Sequence, residues 1–147
     1  MKFRYAKEED IYFLIEGLEK NRVLENRPKK DAKAKPADIK EFKTAIRNKN
    51  IRIIEDKGEP VAFLYFRTGF KVMYIHEKFF WVDLIYVKEG YRGRGLGKRL
   101  YNDAIRIAKK KGFSKVVIDV FEANANSVGF HKKLGFKPIY AIYQKRI

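Results

Sequence analysis

Apolar residues along the 147-residue chain follow two rhythms, and each change of rhythm marks an element. Phe3 and Tyr5 alternate with charged neighbours as a short strand does, and Ile11, Leu14, Ile15 and Leu18 then fall at i, i+3, i+4 and i+7, the spacing of one helix face. The stretch KNRVLENRPKKDAKAKP, Lys20 to Pro36, has no period and much charge, and reads as a loop. Pro36 suits the first turn of a second helix and Asp38 favours its positive end, while Ile39, Phe42 and Ile46 supply the apolar stripe. IRIIED, Ile51 to Asp56, and PVAFLYFRT, Pro60 to Thr68, are rich in β-formers and flank Gly58, which predicts a hairpin.

Val72 to Ile75 reads as a further strand. FFWVDLIYV, Phe79 to Val87, is apolar nearly throughout and so reads as a central strand, with Asp83 its only charge. Leu96, Leu100, Ala104, Ile107 and Ala108 keep clear helical spacing, closed by Lys109 to Lys111 at the negative end and Gly112 as a cap. KVVIDV, Lys115 to Val120, is another strand. NANSVGFHKKLGF holds a short helix with Ser127, Phe130, His131 and Leu134 on one face, stopped by Gly135, and IYAIYQKRI reads as a closing strand. The order predicts one α/β domain over residues 1–147, with a mixed sheet because a hairpin adjoins a strand–helix–strand unit that must be parallel.

Composition narrows the chemistry. Thirty-four Lys and Arg against eighteen Asp and Glu give a net charge of +16, a field that attracts phosphorylated cofactors or nucleic acid and repels polycations. With no cysteine and two histidines, disulfides and thiol nucleophiles are excluded and no metal site is expected. The charged N-terminal stretch and the lack of a long uncharged run predict a soluble cytoplasmic protein with no membrane contact.

YRGRGLGKRL, Tyr91 to Leu100, runs from the end of a buried strand into the best-marked helix. Such a helix start presents unpaired N–H groups and partial positive charge, so an anion belongs there. Gly93, Gly95 and Gly97 allow close backbone approach, and Arg92, Arg94, Lys98 and Arg99 add charge. A Walker A loop is ruled out because Gly97-Lys98 is followed by Arg99, and a Rossmann fingerprint because Lys98 stands where the third glycine is required. A pyrophosphate is the expected ligand.

Arg92-x-x-Gly95-x-Gly97, followed by Asn124, Ser127, His131, Gly135 and Phe136 at the spacing N-x-x-A-x-x-x-Y-x-x-x-G-F, resembles the GNAT superfamily of acyl-CoA-dependent N-acetyltransferases. The resemblance extends in element order over nearly the whole chain, from FRYAKEEDIYFLI onward. It implies a mostly antiparallel central sheet flanked by helices, and acetyl-CoA as the acyl donor. It further implies contacts to that donor from Ile85, Tyr86, Val87, Arg92, Gly93, Arg94, Gly95, Leu96, Gly97, Lys98, Asn124 and Ser127, with a backbone N–H near Ile85 to Val87 for the oxyanion. The acceptor would be a primary amine on a small molecule, a peptide or a protein.

Two positions carry the expected catalysis. Asp83 would receive the amine's proton, directly or with ordered water as the route, and the alternative is that it faces a solvated end of the sheet or pairs with an arginine. His131 stands where the family usually has Tyr, and would protonate the departing thiolate. The alternative is that it packs against pantetheine while water or Tyr140 supplies the proton. Ser127 replaces the usual Ala. Asn124 either holds its turn or touches pantetheine, Trp81 belongs to the core or to the groove wall, and His76 reads as a surface histidine. Two other functions compete with catalysis: a basic nucleic-acid or ribosome-associated module, for which no RNP or helix-turn-helix signature is present, and a CoA-sensing domain without chemistry. The chain could act as monomer or homodimer.

Overall fold

A computed structural model describes residues 1–69 and 78–147. The expected strand at Val72 to Ile75 and the histidine at 76 lie outside the described residues. The elements are β1 (Lys2–Tyr5), a 3₁₀ turn (Glu8–Asp10), α1 (Ile11–Leu24), α2 (Lys29–Ala32), α3 (Pro36–Arg47), β2 (Ile51–Asp56), β3 (Glu59–Arg67), β4 (Phe80–Val87), α4 (Leu96–Lys110), β5 (Val116–Ile118) and α5 (Ala125–Lys133).

The strands form one sheet in the order β1-β2-β3-β4-β5. The first three pairings are antiparallel and β4–β5 is parallel, as the strand–helix–strand unit requires. Helices cover both faces. Phe13 and Leu14 of α1 and Phe42 of α3 pack with Ile51, Ile53, Phe63, Tyr65, Leu84 and Tyr86 on one side. Leu96, Leu100, Tyr101 and Ala104 of α4 pack with Ala62, Leu64, Phe66, Phe80 and Val82 on the other. Period-2 alternation along β3 therefore serves two cores rather than a core and solvent, which is why the strand reads as continuously apolar.

β4 changes face partway along. Tyr65 pairs with Leu84 and Phe66 with Val82, so Asp83 has no partner and forms a β-bulge. Before it, Phe80 and Val82 face the α4 core; after it, residues of the same parity, Leu84 and Tyr86, face α1. The one charged residue in the strand is thus the one the ladder leaves out. β5 pairs only with Phe80 to Val82, and the parallel ladder ends where the bulge begins.

Two expectations need correction. Lys20 to Pro36 is not all loop: α1 continues to Leu24 and α2 follows. Polar contacts order this segment in place of an apolar stripe, because Arg22 makes two bonds to Asp38 (3.0 and 2.7 Å) and the Ala34 N–H donates to Glu19 (2.9 Å). Among the described residues no strand forms at IYAIYQKRI. Ile139, Ile142, Tyr143 and Ile147 are exposed, and β-propensity alone does not fix the segment.

Candidate active site

Loss of pairing between β4 and β5 past Val82 and Ile118 opens a cavity of about 320 Å³ between the strand ends. Asp83, Ile85 and Trp81 line it from β4, Asp119 from just beyond β5, and Asn124, Ser127 and His131 from α5 and its cap. α1 and α3 close the other side with Arg22, Asp38, Glu41 and Phe42. Trp81 is 9% exposed and serves both core and groove wall.

The glycine loop reaches α4 with Gly93 and Gly95 both at φ 74°, the left-handed region that favours glycine, and Gly95 caps the helix. The Arg99 N–H is bonded to the Gly95 carbonyl, so the N–H groups of Leu96, Gly97 and Lys98 lack an intrahelical acceptor. Arg92, Arg94, Lys98 and Arg99 are exposed around them. This set of free donors and cations fits a pyrophosphate. Arg92 also ties the loop to the strand, Nε donating to the Val87 carbonyl at 3.0 Å, and Arg94 lies 5.0 Å over the Tyr91 ring.

Gly97 has a different task from its neighbours. A Cβ there would come within 2.8 Å of Phe130 Cζ, so the missing side chain lets α4 and α5 touch. Of Ile85, Tyr86 and Val87, only Ile85 lines the cavity. Tyr86 is buried on the opposite face and its hydroxyl donates to Glu16 at 2.9 Å, leaving only backbone for the donor site.

Asp83 is ion-paired with Arg67, the alternative left open for it by the sequence. Asp119 carries no motif in the sequence, although it is the one carboxylate of KVVIDV just as Asp83 is of its strand. It makes no ion pair among the described residues. The residue is exposed to solvent, and partial desolvation together with the Asp83 charge pushes its carboxyl up from the usual range.

Asn124 caps α5, its Oδ1 accepting from the Ser127 N–H at 3.1 Å, and also lines the cavity. His131 is 5% exposed and both ring nitrogens are engaged, Nδ1 with the Ser127 carbonyl (2.7 Å) and Nε2 with the Tyr101 hydroxyl (2.7 Å). Burial pushes its pKa below 6.5. Tyr101 is the residue here that the sequence hid, because its place on the apolar face of α4 reads as core. Among the described residues no group of three His, Cys, Asp or Glu could hold a metal ion, and no helix is long and apolar enough to cross a membrane.

A basic glycine loop at a helix start, beside a cleft between splayed parallel strands, describes an acyl-CoA-dependent acyltransferase fold. The chain belongs to the GNAT acetyltransferase family, whose model matches residues 17–136. It is similar to an uncharacterized N-acetyltransferase of Methanocaldococcus jannaschii, 35% identical over an alignment of 92 positions that covers 58% of this chain and 38% of that protein. It is also similar to a peptidyl-lysine N-acetyltransferase of Salmonella typhimurium, 32% identical over 84 residues, 57% of this chain and 47% of that one. The chain thus spans less than half the length of these relatives. Among solved structures, an aminoglycoside N-acetyltransferase in complex with CoA superposes with TM-score 0.73 at 16% identity, covering 99% of this chain and 93% of that one. A GCN5-related N-acetyltransferase from Ralstonia eutropha gives 0.76 at 16% identity, covering 99% and 97%. At this identity they establish a common fold.

Proposed function

We propose that the protein transfers an acetyl group from acetyl-CoA to a primary amine by direct attack, with both substrates bound together. The absence of cysteine removes an acyl-cysteine route. The observation that carries the reading is the pair of carboxylates, Asp83 and Asp119, at the point where β4 and β5 part.

Arg92, Gly93, Arg94, Gly95, Leu96, Gly97 and Lys98 hold the pyrophosphate of the donor, and Asn124 and Ser127 flank its pantetheine arm. The donor supplies an activated acyl carbon. Backbone N–H groups of Ile85 to Val87 are suited to the oxyanion, since no strand pairs with that edge of β4 among the described residues. The amine gives up its proton to a carboxylate. Asp119 is better placed for this than Asp83, because Arg67 already neutralises Asp83 and a raised pKa makes Asp119 the stronger base.

Thermal shift with acetyl-CoA, longer acyl-CoAs, ATP and NAD, followed by CoA release with a panel of amines, tests the reading. Stabilisation by acetyl-CoA together with amine-dependent CoA release is the expected result. Tight CoA binding without release on any amine would make the protein a CoA sensor, and salt-dependent RNA binding without a CoA response a nucleic-acid module.

A further inference from the structure

His131 sits between two partners whose chemistry fixes its protons. The Ser127 carbonyl can only accept, so Nδ1, 2.7 Å away, carries hydrogen. In a neutral imidazole Nε2 is then an acceptor, and the Tyr101 hydroxyl at 2.7 Å donates to it. The surroundings hold this state. Phe130, Phe136 and Tyr101 rings enclose the imidazole at centroid distances of 5.1, 5.4 and 5.4 Å, and Tyr101 is 1% exposed. The charged group that acts on the pair is Asp119, which opposes ionisation of the Tyr101 hydroxyl.

One further oxygen completes the series. Ser127 Oγ lies 3.3 Å from the same Nδ1. Since that nitrogen is a donor, Oγ accepts there and its own hydrogen is free to point elsewhere. Ser127 lines the cavity. The donors Tyr101 and His131 thus run toward Ser127, which lines the cavity, and such a series polarises its last member.

We propose that Ser127 donates a hydrogen bond from its hydroxyl to the sulfur of the leaving group, with His131 and Tyr101 as positioning residues that orient it. The inference rests on the acetyl-transfer reading. As the amine nitrogen bonds to the acyl carbon, the electron pair of the breaking C–S bond stays on sulfur. The thiolate is hydrogen-bonded by Ser127 and takes its proton from solvent. Three side chains so replace the single hydroxyl that a tyrosine at 131 would present, and no imidazolium is required.

The test has one part that needs no turnover. Nitrogen-15 spectra of the intact protein should show His131 neutral and protonated at Nδ1 at neutral pH, and Tyr101→Phe should shift the Nε2 resonance as its donor is lost. An imidazolium at neutral pH, or protonation at Nε2, overturns the proposal. The second part titrates the thiol of bound CoA by thiolate absorbance. Ser127→Ala should raise its pKa relative to the unmodified protein and lower kcat by about tenfold, with KM for acetyl-CoA nearly unchanged. Unaltered titration in Ser127→Ala overturns the proposal. If the unmodified protein turns over no amine, the acetyl-transfer reading fails, while the histidine spectrum and the CoA titration still decide the hydrogen-bond series.

Discussion

Val82 and Ile118 are the last paired residues of the β4–β5 parallel ladder, and the next residue on each strand is an aspartate. The bulge at Asp83 falls where that pairing ends, and both carboxylates line the cavity that opens there. Their partners differ. Asp83 has Arg67, and Asp119 has none among the described residues.

Asp119→Asn should lower kcat/KM by about 10², the usual contribution of a general base. The acid limb of the pH profile should lie above the ordinary carboxylate range, because partial desolvation and then Asp83 raise the Asp119 pKa even though the residue is exposed. Asp83→Asn removes the like charge, so that limb should move to lower pH. Steady-state rates across pH for both variants check this. A limb unmoved by Asp83→Asn, with full activity in Asp119→Asn, would rule Asp119 out.

Gly97→Ala should destabilise the fold by about 1–3 kcal/mol, since its methyl meets Phe130 at 2.8 Å and the helices must shift. Gly97→Ala with Phe130→Leu should recover part of this. Gly95→Ala meets no atom within 4 Å, and its cost comes from holding φ at 74°. Denaturant melts with and without CoA separate the two. The expected pattern is lost stability for Gly97→Ala in both conditions, unlike a loss of CoA response in Gly95→Ala.

The chain's periodicities made the five described strands and the long helices legible, and the glycine loop marked the start of α4. Four features were not. The bulge at Asp83 was hidden because an apolar strand facing two cores carries no alternation to show where its phase slips. α2 was hidden because ion pairs, not an apolar stripe, hold its surroundings. IYAIYQKRI has strand composition, but among the described residues it joins no ladder, and Ile142, Tyr143 and Ile147 stay exposed. The Tyr101–His131 bond joins residues 30 apart, and only the contact between α4 and α5 brings them together.

Acceptor preference should follow the cavity and not the whole molecule. The net charge of +16 is expected to repel polycations, yet the lining carries Glu25, Asp38, Glu41, Asp83 and Asp119 against Arg22, Arg27 and Arg67. Local potential governs binding inside a cleft. Amines bearing a second positive charge should therefore show higher kcat/KM than neutral-tailed amines of equal length, and Glu41→Gln should narrow that difference several-fold. Equal kcat/KM for both classes, with Glu41→Gln silent, would contradict this.

Stability should carry the signature of a histidine buried in its neutral form. Desolvation lowers the folded-state pKa of His131 below its unfolded value of 6.5, while the backbone bond to Ser127 opposes this in part. Above about pH 6.5 neither state binds a proton at this site, and the neutral imidazole keeps its full contribution. As pH falls below that value the unfolded chain takes up a proton that the native state refuses, so stability declines until the folded-state pKa is passed. His131→Phe should remove this component of the acid slope. It should also cost about 1–3 kcal/mol at neutral pH, because the Tyr101 hydroxyl is left buried without its acceptor. Adding Tyr101→Phe should return much of that loss by removing the orphaned group. Denaturant melts of the three proteins between about pH 7.5 and pH 5 measure both effects, with the second histidine, His76, common to all. An acid slope unchanged by His131→Phe would mean that the imidazole is not held neutral in the native state.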